Sequence, residues 1–290
     1  DEVYQPRVPR NEQRMSVRGI DYCIYEWGNP AAPLFVYLHG WGDTGSTFQF
    51  VVDALSAEWR VVALDWRGFG RSATEYSSYW FPDYLADLHV LLAEISPDDP
   101  VRLVGHSMGA NVGALYAGTM PERVQAFVNI EGFGLEDSNP DDAPARYRAW
   151  IDAMNEEQLF SEYADLSALA SRIVKRHPLM GIAESTFVAN EWATKGSDGV
   201  ARLRADPRHR LPNPVLYRRA EAEACWRAIT AEVLLVLGSE SRFLRNLGDV
   251  TPCSIPHDRR VVIEGGGHML HFELPGALAS AIEEFLLSTL

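Results

Sequence analysis

Short runs of Val, Leu and Ile, most of them closing on a glycine-bearing turn, recur along the chain. They are LFVYLHG at 34–40, RVVALDWRG at 60–68, VRLVGHS at 101–107, VQAFVNIEG at 124–132, EVLLVLG at 232–238 and RRVVIEGGG at 259–267. The runs do not alternate polar and apolar positions, as strands buried on both faces of a parallel sheet do not. An earlier stretch, Asp21 to Trp27, is rich in aromatic and β-branched residues and is the first with strand character. Between the runs lie helical patterns at Ser46–Glu58, Pro82–Ile95, Met108–Met120 and Pro275–Leu287. In the second of these Leu85, Leu88, Leu91, Leu92 and Ile95 share one face. Strand and helix in alternation predict an α/β fold with a mostly parallel, doubly wound sheet.

The alternation stops between about Leu135 and Arg227. ARYRAWIDAM, LSALASRIVKRH and ESTFVANEWATKG read as helices, followed by an Arg- and Pro-rich piece. That is too long for a loop. The expected organisation is a core over 1–134, an inserted helical cap over 135–228, and the rest of the core over 229–290.

Composition narrows the partners. Forty acidic against 26 basic residues give a formal charge of −14, which disfavours nucleic acid, whose phosphates need a basic face. A small-molecule substrate is the expectation. No apolar run approaches the ~20 residues of a spanning helix, so no membrane is expected. Cys23, Cys225 and Cys253 lack CxxC spacing and suggest neither a disulfide framework nor zinc. They favour a reducing compartment. The polar N-terminus lacks the apolar heart of a signal peptide, and its missing Met suggests a trimmed start. A cytoplasmic location is the resulting expectation.

The sharpest chemical signal is Gly105-His106-Ser107-Met108-Gly109, after VRLV and before a small-residue helix. A nucleophile on so sharp a strand-to-helix turn needs glycines where side chains would clash. The helix start beyond it aims free N–H groups at the reacting centre. His39-Gly40-Trp41-Gly42 follows LFVYL; the N–H groups of Trp41 and Met108 are the candidate oxyanion hole. Gly265-Gly266-Gly267-His268 follows the last run, and imidazole suits general-base work near neutral pH. His271 is the rival. His39 and His106 lie inside glycine motifs and read as structural; His89, His177, His209 and His257 lie elsewhere. HExxH and clustered carboxylates are absent, so no metal is expected, and no cofactor is implied.

With HGWGD, DWRGFGRS, GHSMGA and GGGHMLHFELP in that order, the chain resembles the α/β-hydrolase superfamily over roughly residues 20–290. It is similar to the capped branch that includes epoxide hydrolases and dehalogenases, and RADPRHRLPNP resembles serine-hydrolase-like members. Those hydrolases and dehalogenases attack with aspartate; Ser107 implies instead an acyl-enzyme from an ester, thioester or amide. Most serine members carry the triad acid three residues after the glycine ending the strand at 232–238. Here that slot is Ser241. The resemblance to relatives with the acid one strand earlier points to Glu131, with Glu240 as the alternative.

The expected function is a serine esterase with Ser107, His268 and Glu131 as triad. The alternatives are hydrolysis of a C–C bond in a β-diketone-like substrate, or ligand sensing on a hydrolase scaffold. Trp150, Phe160, Phe187, Trp192 and Tyr217 are candidate pocket or cap-core residues. Arg202, Arg204, Arg208, Arg210, Arg218 and Arg219 either capture an anionic substrate or pair with the chain's excess acid, the simpler reading.

Overall fold

The computed structural model describes residues 3–72, 79–243, 255–256 and 258–290; Cys253 and His257 lie outside them. The strands are β1 (Arg10–Val17), β2 (Ile20–Gly28), β3 (Leu34–Leu38), β4 (Arg60–Leu64), β5 (Val101–His106), β6 (Val124–Ile130), β7 (Ala193–Lys195), β8 (Ala201–Leu203), β9 (Glu232–Gly238) and β10 (Asp258–Ile263). Eight of them form one sheet in the order β1-β2-β4-β3-β5-β6-β9-β10. β1 and β2 are antiparallel to each other, β2 is antiparallel to β4, and the remaining neighbours are parallel.

Both faces of the sheet are covered, which explains the continuous apolar runs. In β3, Val36 and Leu38 join one core cluster, while Phe35 and Tyr37 join the other. The first cluster packs under α2 (Phe81–Ile95) and α3 (Met108–Thr119); the second packs under α1 (Gln49–Ala54) and α9 (Pro275–Leu287). The pattern at Ser46–Glu58 yields less helix than expected: a 3-10 turn over Gly45–Phe48 leads into the short α1. β1 was illegible in the pattern. It is an edge strand of mostly polar, exposed residues, RNEQRMSV, so it carries no apolar signature.

Between β6 and β9 lie α4 (Ala143–Met154), α5 (Leu166–Arg176), α6 (Ile182–Trp192), the β7–β8 hairpin and α7 (Arg219–Arg227). The insert is thus helical with one small antiparallel hairpin that the sequence did not announce. α5 and α6 build a third apolar cluster, which also takes in Phe50 of α1 and Phe272 of α8 (Leu270–Glu273). α7 behaves differently. Its Ala222 and Trp226 pack into the first core cluster against α3.

The α3–α7 contact depends on Gly118, where a Cβ would lie 1.8 Å from the Cys225 carbonyl oxygen. A backbone oxygen cannot rotate aside as a side chain can. Gly118→Ala should therefore push α7 off α3 and cost about 1–3 kcal/mol, as overpacking does. The check is the denaturation midpoint in urea; an unchanged midpoint would mean that the two helices separate freely.

Candidate active site

Ser107 sits between β5 and α3 at φ 51°, ψ −114°, outside the regions L-residues favour. Such a backbone costs on the order of 1–3 kcal/mol and must be held by its surroundings. The flanking glycines permit it. A Cβ at Gly109 would meet the Leu38 carbonyl oxygen at 2.1 Å, and one at Gly105 would meet Ala110 at 2.7 Å. Ser107 N–H donates to the Ile130 carbonyl at 2.8 Å, and Asn111 N–H closes the first helical turn on the Ser107 carbonyl at 2.9 Å.

The loop after β10 brings His268 to this turn. Its Nε2 lies 3.0 Å from Ser107 Oγ, and its Nδ1 lies 3.2 Å from Glu131 Oε2. A carboxylate only accepts, so the proton is on Nδ1 and Nε2 is free to accept from the serine. Glu131 lies directly after β6 at φ 57° and is only 2% exposed. Its Oε1 accepts from Gly238 N–H at 2.7 Å, and Ser241 Oγ donates to Oε2 at 2.5 Å. Glu240, the alternative acid, is exposed, while its neighbour Ser241 reaches Glu131. The structure thus gathers Ser107, His268 and Glu131.

Trp41 and Met108 also converge. Gly40 lies so close to the turn that a Cβ there would be 3.3 Å from Ser107 Cβ. Among the described residues neither the Trp41 nor the Met108 backbone N–H has an acceptor, which leaves both available to a developing oxyanion.

Three further histidines support the site without reaching Ser107. His106 Nε2 donates to the His268 carbonyl at 2.8 Å, and burial drives its pKa far below the usual imidazole value, so it stays neutral. His39 Nδ1 donates to the Gly40 carbonyl at 2.7 Å, and its Nε2 accepts from Trp66 N–H at 2.9 Å. Burial lowers its pKa to about 4. His271 Nε2 contacts Asp43 Oδ2 at 2.8 Å. Asp43 is a node that sequence reasoning missed. Burial, the largest influence, pushes its carboxyl up, but His271, His39 and the Trp192 indole together hold it below the ordinary carboxylate range. Its other oxygen accepts from Thr47 Oγ1 and from the Trp192 indole, both at 2.8 Å. One carboxylate therefore joins the Trp41 loop, the histidine loop and the insert.

Asp43, His106 and His271 are the group of potential metal ligands found among the described residues. Asp43 and His271 are already bonded to each other and His106 to a carbonyl, so the arrangement reads as a hydrogen-bond network.

A cavity of about 330 Å³ opens beside Ser107. Its walls are Trp41, Met108, Leu115, Phe133, Leu135, Trp226 and Phe243, with Phe81, Gly134 and Ala222, and its polar side chains beyond the triple are Asn111 and Tyr217. Of the five aromatic candidates only Tyr217 lines it. Phe160 packs edge-on against Trp41 and Phe187 against Phe50, while Trp192 bonds Asp43. Apart from Asn111, the lining residues from α3 and α7 are ordinary core types, and no local signal marks them.

Among the described residues no arginine lines the cavity. Arg202 pairs with Asp198 and Glu162, Arg208 with Asp206 and Arg219 with Glu223. Arg204 and Arg210 donate to the Ala193 and Leu159 carbonyls. The observed pairs accord with the simpler of the two readings.

The comparisons agree with this fold. The alpha/beta hydrolase fold family matches residues 33–275. A serine hydrolase-like protein of Danio rerio is 27% identical, covering 97% of this chain and 89% of its own. The 3-hydroxybutyrate-oligomer hydrolase of Cupriavidus necator is 29% identical, covering 94% and 96%. The structure of a thioesterase domain from the curacin biosynthetic pathway superposes with TM-score 0.85 at 27% identity, covering 95% and 99%. No helix among the described residues is long and apolar enough to cross a membrane.

His39 makes a pH prediction. The unfolded chain takes up its proton near pH 6.5, the folded one only near 4. The unfolded state therefore binds more protons in this window, and stability falls as pH drops through it. His39→Asn, less stable at pH 7, should lose stability more slowly between pH 7 and 4.5, by up to about 1.4 kcal/mol per pH unit. Parallel unfolding-energy curves for the two proteins would assign the acid sensitivity elsewhere.

Proposed function

The chain belongs to the α/β-hydrolase family, and we propose that it is a serine carboxylesterase cleaving a small to medium ester through an acyl-enzyme. The observation that carries this reading is the unbroken chain Ser107 Oγ to His268 to Glu131, whose carboxylate is satisfied at both oxygens by Gly238 and Ser241. Ser107 attacks the scissile carbonyl carbon while His268 Nε2 takes the hydroxyl proton. Glu131 holds the ring in the tautomer this requires and stabilises the imidazolium. The N–H groups of Trp41 and Met108 receive the oxyanion, each worth ~3 kcal/mol of barrier. His268 then protonates the departing alcohol, and water, activated by the same nitrogen, releases the acid.

The mainly apolar cavity, lined by no arginine among the described residues, suits an uncharged substrate of modest size. The names of the relatives, a serine hydrolase-like protein, an oligomer hydrolase and a thioesterase domain, support acyl transfer in general. The residues between β6 and α7 act as a cap over this cavity in the proposed reading, latched to the core through the Trp192–Asp43 bond.

Ser107→Ala should abolish both p-nitrophenyl ester hydrolysis and labelling by a fluorophosphonate probe. EDTA should leave hydrolysis intact. Glu131→Gln, which keeps the shape and removes the charge, should lose at least about a hundredfold in kcat; Glu240→Gln should lose under about tenfold. Reversal of those two results would place the acid after β9.

A further inference from the structure

We propose that Asn111 is a specificity-determining residue that selects acyl groups with a hydrogen-bond acceptor on the β-carbon, a hydroxyl or keto oxygen. The inference rests on the reading that Ser107 forms an acyl-enzyme. Asn111 lies one helical turn beyond Ser107 and lines the cavity. Its backbone N–H is bonded to the Ser107 carbonyl at 2.9 Å, which holds it close to the nucleophile turn.

The orientation of its amide follows from its partner. Gly134 N–H can only donate, so the atom it meets at 2.9 Å is the acceptor, Oδ1. Nδ2 is therefore the opposite end. It has no acceptor among the described residues. The cavity it lines is walled mainly by apolar side chains, with the Tyr217 hydroxyl beside Gly134 as the other polar group beyond Ser107, Glu131 and His268. Asparagine is a poor helix former, and its free donors open onto the cavity, where a bound acceptor would pair with them.

Placement decides which part of the substrate supplies it. The departing oxygen must face His268 Nε2. The loop carrying His268 runs on into α8 and α9, on the sheet face opposite α3. In this proposal the acyl part lies along α3, where a β-oxygen would face the Asn111 amide in the cavity that both residues line. With Oδ1 committed to Gly134, Asn111 offers the substrate only donors, so it recognises an acceptor and gains nothing from an alkyl group of the same shape.

The test compares kcat/KM for p-nitrophenyl 3-hydroxybutanoate and 3-methylbutanoate, which differ by hydroxyl against methyl. The expectation is at least about a tenfold preference for the hydroxy ester. Asn111→Asp keeps an acceptor for Gly134 but loses the N–H donors, and should abolish the preference. Asn111→Leu should reverse it. Circular dichroism and fluorophosphonate labelling report whether each variant is folded. Equal rates for the two esters in the wild type, or a preference that survives in Asn111→Asp, would overturn the inference while leaving the esterase reading standing. So would a preference seen only when the oxygen lies in the alcohol, measured as 2-methoxyethyl against butyl butanoate. Failure to hydrolyse any ester, with no labelling of Ser107, would instead overturn the esterase reading.

Discussion

The rest of the site depends on one buried carboxylate. Glu131 is almost fully enclosed, and a charge there is tolerable only because three donors meet it: Gly238 N–H, Ser241 Oγ–H and His268 Nδ1–H. Removing a charge from water costs far more than one hydrogen bond returns, so the ends of β6 and β9 and the loop after β10 are mutually constrained. Glu131 itself has positive φ and donates its N–H to the Val236 carbonyl. Each of these features ties the carboxylate to the neighbouring strand. Ser241, three residues after Gly238, donates its hydroxyl to this carboxylate from the loop after the neighbouring strand.

Around that carboxylate the loops are secured in pairs. His106, neutral because it is buried, fixes the backbone of His268. Asp43 joins the histidine loop through His271 and the insert through Trp192. Gly40 and Gly109 let the β3 loop approach the turn at Ser107 closely. This is how a strained backbone persists: neighbouring contacts over-determine it. The cavity then takes its character from α3, α7 and the segment after β6, which present apolar side chains and a single asparagine amide.

Much of this was legible in the chain itself. Continuous apolar runs marked strands covered on both faces, and glycine spacing around Ser107 and before His268 marked turns that only small residues allow. Those are local signals, because a period or a forbidden φ is a property of a few consecutive residues. Glu131 could be nominated by its position after a strand. Its burial, and the compensating hydroxyl of Ser241, could not be read from position alone.

Tertiary structure alone decided the rest. β1 is polar because it lies at an edge, and nothing in RNEQRMSV announces pairing. Asp43 and Trp192 are 149 residues apart, so no spacing rule connects them. The cavity wall mixes residues from several separated segments, from Trp41 to His268, and most of its side chains are of types found in any core. The arginines read as a cluster in one dimension, yet most pair with local carboxylates and carbonyls. Periodicity and backbone strain are written in adjacent residues; burial, ion pairing and the shape of a cavity depend on which distant segments meet.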